Sequence, residues 1–238
     1  MTPAKSEGKT SPRLRLRRTA AWVGGFLVVA TALVGVLHTP FARPLLMRLG
    51  GCPMAGARMT PAEMDRARAI AVSANRDMRT APMRPALGFV LDSTTLAEVH
   101  AWAAHERVDC EDTRAGLVTC SHVAPVSVGR PAIEGVIDEL ALAFDTRGHL
   151  VNLTTFRSHM RSGDAAKAAD DVALRLSGEL GPADHTNGSF DAHRLSVAGA
   201  DSLAAVAYRY KDYFADVMAM NLPASGASVR EHYMSANN

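Results

Sequence analysis

The familiar signatures of catalysis are missing from the 238 residues: no H-E-x-x-H, no C-x-x-C pair, no G-x-S-x-G elbow and no glycine-rich phosphate or dinucleotide loop occurs. Zinc peptidase, thiol-redox, hydrolase and nucleotide readings are therefore left without an anchor. Lysine is also scarce, Lys5, Lys9, Lys167 and Lys211 being the only ones among 26 basic residues, and aromatics make up 5% of the chain. Six basic residues and one acid, Glu7, precede Thr19, so +5 of charge belongs to the tail and −3 to the rest of a chain whose total is +2. That split removes the motive for nucleic-acid binding by the main domain. Cysteine is limited to three positions, an odd number that leaves one thiol over from any pair.

What is present is an uncharged run, AAWVGGFLVVATALVGVL, at Ala20 to Leu37. As a helix it reaches about 27 Å, close to the hydrocarbon thickness of a bilayer. Arg13 to Arg18, RLRLRR, adjoins it, and positive flanks stay cytoplasmic, so the chain is expected to cross once with its N-terminus inside. Trp22 and Phe41 stand where interfacial aromatics often sit. The apolar run exceeds a cleavable signal core and is not followed by a small-x-small site, which favours an uncleaved anchor. A lipoprotein signal is the sharper alternative, because Leu49-Gly50-Gly51-Cys52 has the form of a lipidation box, although Arg43 and Arg48 separate it from the apolar core. The Arg- and Ala-rich composition is that of a GC-rich bacterial genome, which makes the far side of the membrane the periplasm.

The expected organisation is a cytoplasmic basic tail at 1–19, a transmembrane helix at 20–37, a juxtamembrane linker at 38–59 and an extracytoplasmic domain at 60–238. Its fold class is α+β: one antiparallel sheet with two or three helices packed on one face. Thr60-Pro61-Ala62-Glu63 is a capping box that starts a helix to about Arg76, with Met64, Ala67, Ile70, Ala71 and Ala74 on its apolar face. Leu87 to Leu91 reads as a short strand. Thr95 and Glu98 cap a second helix with Leu96, Val99, Trp102 and Ala103 inward, ending near Arg107. Val108 to His122 reads as a hairpin turning at Thr113 to Gly116, and Leu140 to Phe156 as a second, turning at Asp145 to Gly148. A third helix, from about Asp164 to Leu180 and capped by Ser162, presents Ala165, Ala169, Val172, Leu176 and Leu180 to the sheet and stops at Gly181-Pro182. His185 to Ala192 reads as loop, and Leu203 to Tyr210, Ala215 to Leu222 and Ala227 to Met234 as strands, with a helix over Asp212 to Met220 as the rival for the middle segment. The repeated Asp-Thr-Arg at Asp112 and Asp145 reads as turn chemistry.

Cys110 and Cys120 lie nearly opposite on one hairpin, where a disulfide or a pair of buried thiols fits the spacing. An oxidising compartment favours the disulfide. A Cys120–His122 dyad shares a strand face but is disabled if Cys120 is oxidised. None of the nine histidines has metal-ligand spacing, and Asp170-Asp171 and Asp138-Glu139 read as solvated edges. Tyr208, Tyr210, Tyr213, Phe214 and Tyr233 are either a binding face or the rings that pack the last sheet against a helix. No cofactor, metal, nucleic acid or small-molecule ligand is expected. The partners expected are the inner membrane and a protein of the cell envelope, which makes the chain an interaction or envelope-assembly module without catalysis. A membrane-anchored enzyme without a recognisable motif, or a lipoprotein held through Cys52, are the rival readings.

Overall fold

A computed structural model describes residues 60–114, 116–130 and 135–237. The tail, the apolar stretch, the linker and Cys52 lie outside the described residues. No helix among the described residues is long and apolar enough to cross a membrane.

Local capping sets the two leading helices. In α1, Pro61–Asn75, the Thr60 hydroxyl accepts from Glu63 N while the Glu63 carboxylate accepts from Thr60 N at 2.8 Å. In α2, Leu96–Glu106, Thr95 and Glu98 repeat the arrangement, and Arg107 closes the helix in the left-handed region at φ 58°. Eight antiparallel strands follow among the described residues: β1 Asp109–Arg114, β2 Leu117–Val123, β3 Ile137–Phe144, β4 Leu150–Met160, then, after helix α3 at Ser162–Leu180, β5 His185–Asn187, β6 Ala204–Arg209, β7 Tyr213–Leu222 and β8 Gly226–Ser235. Their order is β1-β2-β3-β4-β8-β7-β6-β5, two four-stranded meanders joined where β8 returns to pair with β4.

Register explains which face is buried. Cys120, Leu140, Thr155, Glu231 and Val217 form one row across β2, β3, β4, β8 and β7, and Val118, Leu142, Leu153, Tyr233 and Ala215 form the next. All ten are buried. Ala165, Ala169, Val172, Leu176 and Leu180 of α3 join the same core, as does Val99 of α2. Cys110 and Cys120 are paired in register and form a disulfide. The middle C-terminal segment is strand, not helix, because Phe214 to Leu222 pairs continuously with β8.

Several expectations need correction. Leu87 to Leu91 is not a strand: Leu87 and Gly88 are left-handed at φ 54° and 82°, and the segment is a turn that buries Ala86, Leu87 and Leu91. Its end is fixed by Asp92 N donating to Leu150 O at 2.8 Å. The face assigned to α1 is also wrong. Ile70 is 64% exposed, and Ala67, Ala71 and Ala74 are exposed too. The alanines carry too little apolar area to set the helix's rotation. Hydrogen bonds to the C-terminal carbonyls set it instead, with Arg68 donating to Ser235 O and Asn237 O and Arg76 to Ala236 O, while Val72 packs on Phe214, Met234 and Ala236. Phe214 and Met234 pair with each other across β7 and β8, one register position away from Ala215 and Tyr233. Period-two alternation then puts α1 on the sheet face opposite α3, so the helices are not all on one side. Ser162 does not cap α3; Arg161 is the N-cap residue, with no side-chain cap, and the Ser162 hydroxyl donates to Leu195 O at 3.0 Å. His185 to Asn187 is an edge strand rather than loop. Asp145 does make turn chemistry, accepting from Arg147 N and His149 N at 2.9 Å, whereas Asp112 lies within β1.

Candidate functional site

The aromatic run expected as a binding face is interior. Tyr208, Tyr213 and Tyr233 are at most 1% exposed, and Tyr210 and Phe214 are buried as well. Tyr208 donates to Ala173 O at 3.2 Å and Tyr210 to Leu180 O, both carbonyls of α3, and Tyr213 donates to Pro85 O at 2.6 Å. The hydroxyls therefore fasten α3 and the turn before α2 to the sheet, the usual fate of a buried phenol with a polar end. Burial raises the Tyr213 phenol well above its ordinary pKa. Cys120 is held in the disulfide and His122 is exposed, so the Cys120–His122 dyad has no thiol to use. Asp170, Asp171 and Glu139 are exposed, while Asp138 accepts from Ser158 N at 2.5 Å and from its hydroxyl at 2.8 Å. Among the described residues no group of three His, Cys, Asp or Glu side chains is placed to hold a metal.

Two clusters of polar side chains were not foreseen. The first lies on the face away from α3, where Asp216 of β7 receives Arg230 at 2.5 Å and His232 Nδ1 at 2.6 Å, both from β8. Burial pushes the Asp216 carboxyl up, but the His232 hydrogen bond and charge and the Arg230 guanidinium outweigh it, leaving the pKa below the ordinary value. Thr154 is the register partner of His232, yet its hydroxyl donates to Asn152 Oδ1 at 3.4 Å, so among the described residues no nucleophile is hydrogen-bonded to the Asp–His pair. A carboxyl with a depressed folded pKa adds stability that is present above its unfolded pKa, about 3.9, and is lost as pH falls through the folded value. Asp216→Asn is therefore expected to shrink the fall in melting temperature between pH 5 and pH 2 relative to the parent chain. An unchanged acid limb in a calorimetric pH series counts against this role for the pair.

The second cluster is the candidate site. A cleft of about 510 Å³ is lined by Arg130, which follows the short 3-10 turn at Pro125–Val128, by Arg157, His159 and Met160 of β4, and by Arg161, Asp164, Lys167, Asp171 and neighbours at the start of α3. Comparison of the chain with protein-family models, curated proteins and solved structures gives no match.

Arg157 continues the inward row of Leu153 and Thr155 and is 4% exposed. Burial lowers the pKa of its guanidinium, Glu231 opposes that pull and Arg130 adds to it; at neutral pH the group stays charged. Beneath it, buried Glu231 accepts from Tyr233 OH at 2.6 Å and faces Arg130 at 3.5 Å and Arg175 at 3.7 Å. Arg175 also reaches Tyr233 OH at 2.7 Å and Glu179 at 2.9 Å. Burial raises the Tyr233 phenol strongly, and the Glu231 charge raises it further. At the cleft's edge β4 carries a bulge between Arg157 and Met160, with His159 at φ 53°, a conformation that histidine tolerates better than most residues. Bulges of this kind re-aim side chains beside functional sites. The lining therefore offers fixed cations, two carboxylates and an imidazole, with no hydroxyl or thiol among the described residues that form it.

A signal for this cluster was present in the sequence. Carrying the alternation Leu153, Thr155 two residues further places Arg157 inside, and Glu231 stands between Val229 and Tyr233 in the last strand. Ending β4 at Phe156 hid the first of the two.

Proposed function

We propose that the chain is a membrane-tethered module whose folded domain works on the periplasmic side of the inner membrane as a non-catalytic interaction or envelope-assembly unit. The observation that carries the reading is the Cys110–Cys120 disulfide, because such cross-links persist in oxidising compartments and are reduced in the cytosol. The basic run before Ala20 agrees, since it keeps the tail inside and sends the domain outward. For the partner, the supporting feature is the sheet face opposite α3. There Ala141, Phe156 and Met218 are partly exposed, and among the described residues the buried apolar contact of α1 is with Phe214, Met234 and Ala236 at one end of that face.

Alkaline phosphatase fused after Asn238 is expected to be active in intact cells, and the denatured chain to gain two maleimide-reactive thiols on reduction. A cytoplasmic reporter signal, or free thiols at both Cys110 and Cys120 before reduction, would overturn the placement. A photo-crosslinking residue at Phe156 is expected to trap a discrete protein adduct in cells, and one at exposed Leu174 is not. No adduct at Phe156, or the same pattern at both positions, removes the interaction role.

A further inference from the structure

Arg157 is a buried guanidinium with an unmet donor. A guanidinium taken out of water normally finds a carboxylate or a set of carbonyls, because an unmet buried donor costs its full desolvation. Here Nη2 is enclosed and has no hydrogen-bond partner among the described residues. The acid that could have met it, Glu231, takes its short hydrogen bond from Tyr233 instead. Arg157 is nevertheless one wall of an open cleft, and the cations Arg130 and Arg161 stand in the same lining. Helix α3, 19 residues long, starts at that lining with no side-chain cap, so the first-turn amides at residues 162–164 are not taken up by its N-cap side chain. Nothing lies within 4 Å of the position a Cβ on Gly163 would occupy, which leaves room for a ligand to approach the backbone there.

We propose that this cleft binds a phosphate-bearing anion, held by the Arg157 guanidinium with Arg130, Arg161 and the first-turn amides of α3. The inference goes beyond the interaction role and stands whether or not the domain is tethered. Donors converge from three places in the fold: the segment after β2, strand β4 and the start of α3. A carboxylate offers two oxygens in one plane and a single negative charge, whereas a phosphate monoester offers three acceptor oxygens and nearly two negative charges to donors on several sides. An uncapped helix start favours the same charge. Asp164 in the first turn of α3 works against the anion and limits its affinity. The cleft is larger than a phosphate group, so the phosphate is one end of a larger molecule, either a soluble ester or a lipid headgroup.

The test is calorimetric titration of the full chain in a phosphate-free maltoside detergent with inorganic phosphate, with dihexanoyl phosphatidic acid and with acetate. Phosphate is expected to bind about tenfold or more tightly than acetate. Arg157→Met is expected to weaken phosphate about tenfold or more, with Arg157→Lys in between. Arg161 is exposed, so Arg161→Gln tests the site without burdening the core, and a several-fold loss is expected; Asp164→Asn is expected to strengthen binding. Absence of phosphate binding by the parent chain, equal affinity for acetate, or binding untouched by both Arg157→Met and Arg161→Gln overturns the proposal. Tighter binding of the short-chain lipid than of phosphate assigns the headgroup as the source, and the reverse order assigns a soluble ester; either order supports the site.

Discussion

Glu231→Ala is expected to lower the unfolding free energy of the domain by about 3–5 kcal/mol, the range seen when one partner of a buried ion cluster is removed. Glu231 is 2% exposed and is the only acid directly between Arg130 and Arg175 in the described contacts, and its charge opposes the cost of burying Arg157. Its loss would leave the Arg157 guanidinium without that compensation and would also remove the acceptor of the Tyr233 hydroxyl. A buried ion pair is nevertheless weak evidence of net stabilisation, since a well-packed apolar pair of similar size often does as well. The double change Arg157→Met with Glu231→Leu is therefore expected to recover part of what Glu231→Leu alone loses, the part owed to Arg157, while Arg130 and Arg175 still lack their acid. Urea unfolding of the full chain in detergent, followed by far-UV circular dichroism, measures both. A double variant no more stable than Glu231→Leu would show that the cluster is not an electrostatic unit, and that the loss comes from packing.

The features that were legible in advance are those fixed within a few residues. Both capping boxes place hydroxyl and carboxylate three residues apart, so the Thr60 and Thr95 helix starts follow from local spacing alone. The β3–β4 hairpin follows from alternation around Asp145 to Gly148, and the inward face of α3 from its 3.6-residue period. What depends on distant partners was not legible. Leu87 to Leu91 has the composition of a strand, but Leu87 and Gly88 adopt left-handed angles and its end bonds to Leu150, more than fifty residues away. The tyrosines alternate as strand residues should, yet nothing local says that the carbonyls of α3 receive two of their hydroxyls. For α1 the arginines, not the alanines, face the fold, because the carbonyls at residues 235–237 need donors that only the folded chain brings near. The candidate cleft lies between these extremes. Arg157 and Glu231 obey the alternation of their strands, but their neighbourhood across β4 and β8 needs the topology, in which the last strand returns to the middle of the sheet and sets Thr155 opposite Glu231 and Arg157 opposite Val229.

Leu176→Ala is expected to cost about 3–5 kcal/mol, and it tests how α3 is held on the sheet. The inward face of α3 is uneven: Ala165 and Ala169 near its start are small, and the large side chains are Leu176 and Leu180 near its end. Leu176 is 0% exposed and lies in the same core as Tyr208, Tyr213 and Tyr233. Truncation there removes apolar contact and leaves a cavity that three tyrosines cannot fill, because their hydroxyls are fixed to Ala173 O, to Pro85 O and to Glu231. A site whose walls are hydrogen-bonded in place collapses poorly, and poor collapse puts a Leu→Ala change at the upper part of its range. The same helix supplies its own control. Leu174 is 73% exposed, so Leu174→Ala should change stability by less than about 0.5 kcal/mol. Both variants keep helix propensity nearly constant, since leucine and alanine are both good helix formers, and the difference between them isolates burial. Equal losses for the two in urea unfolding would mean that α3 is held by its hydrogen bonds to the tyrosines and not by its apolar face. Tyr210→Phe, which removes the donor to Leu180 O, would then carry the larger effect.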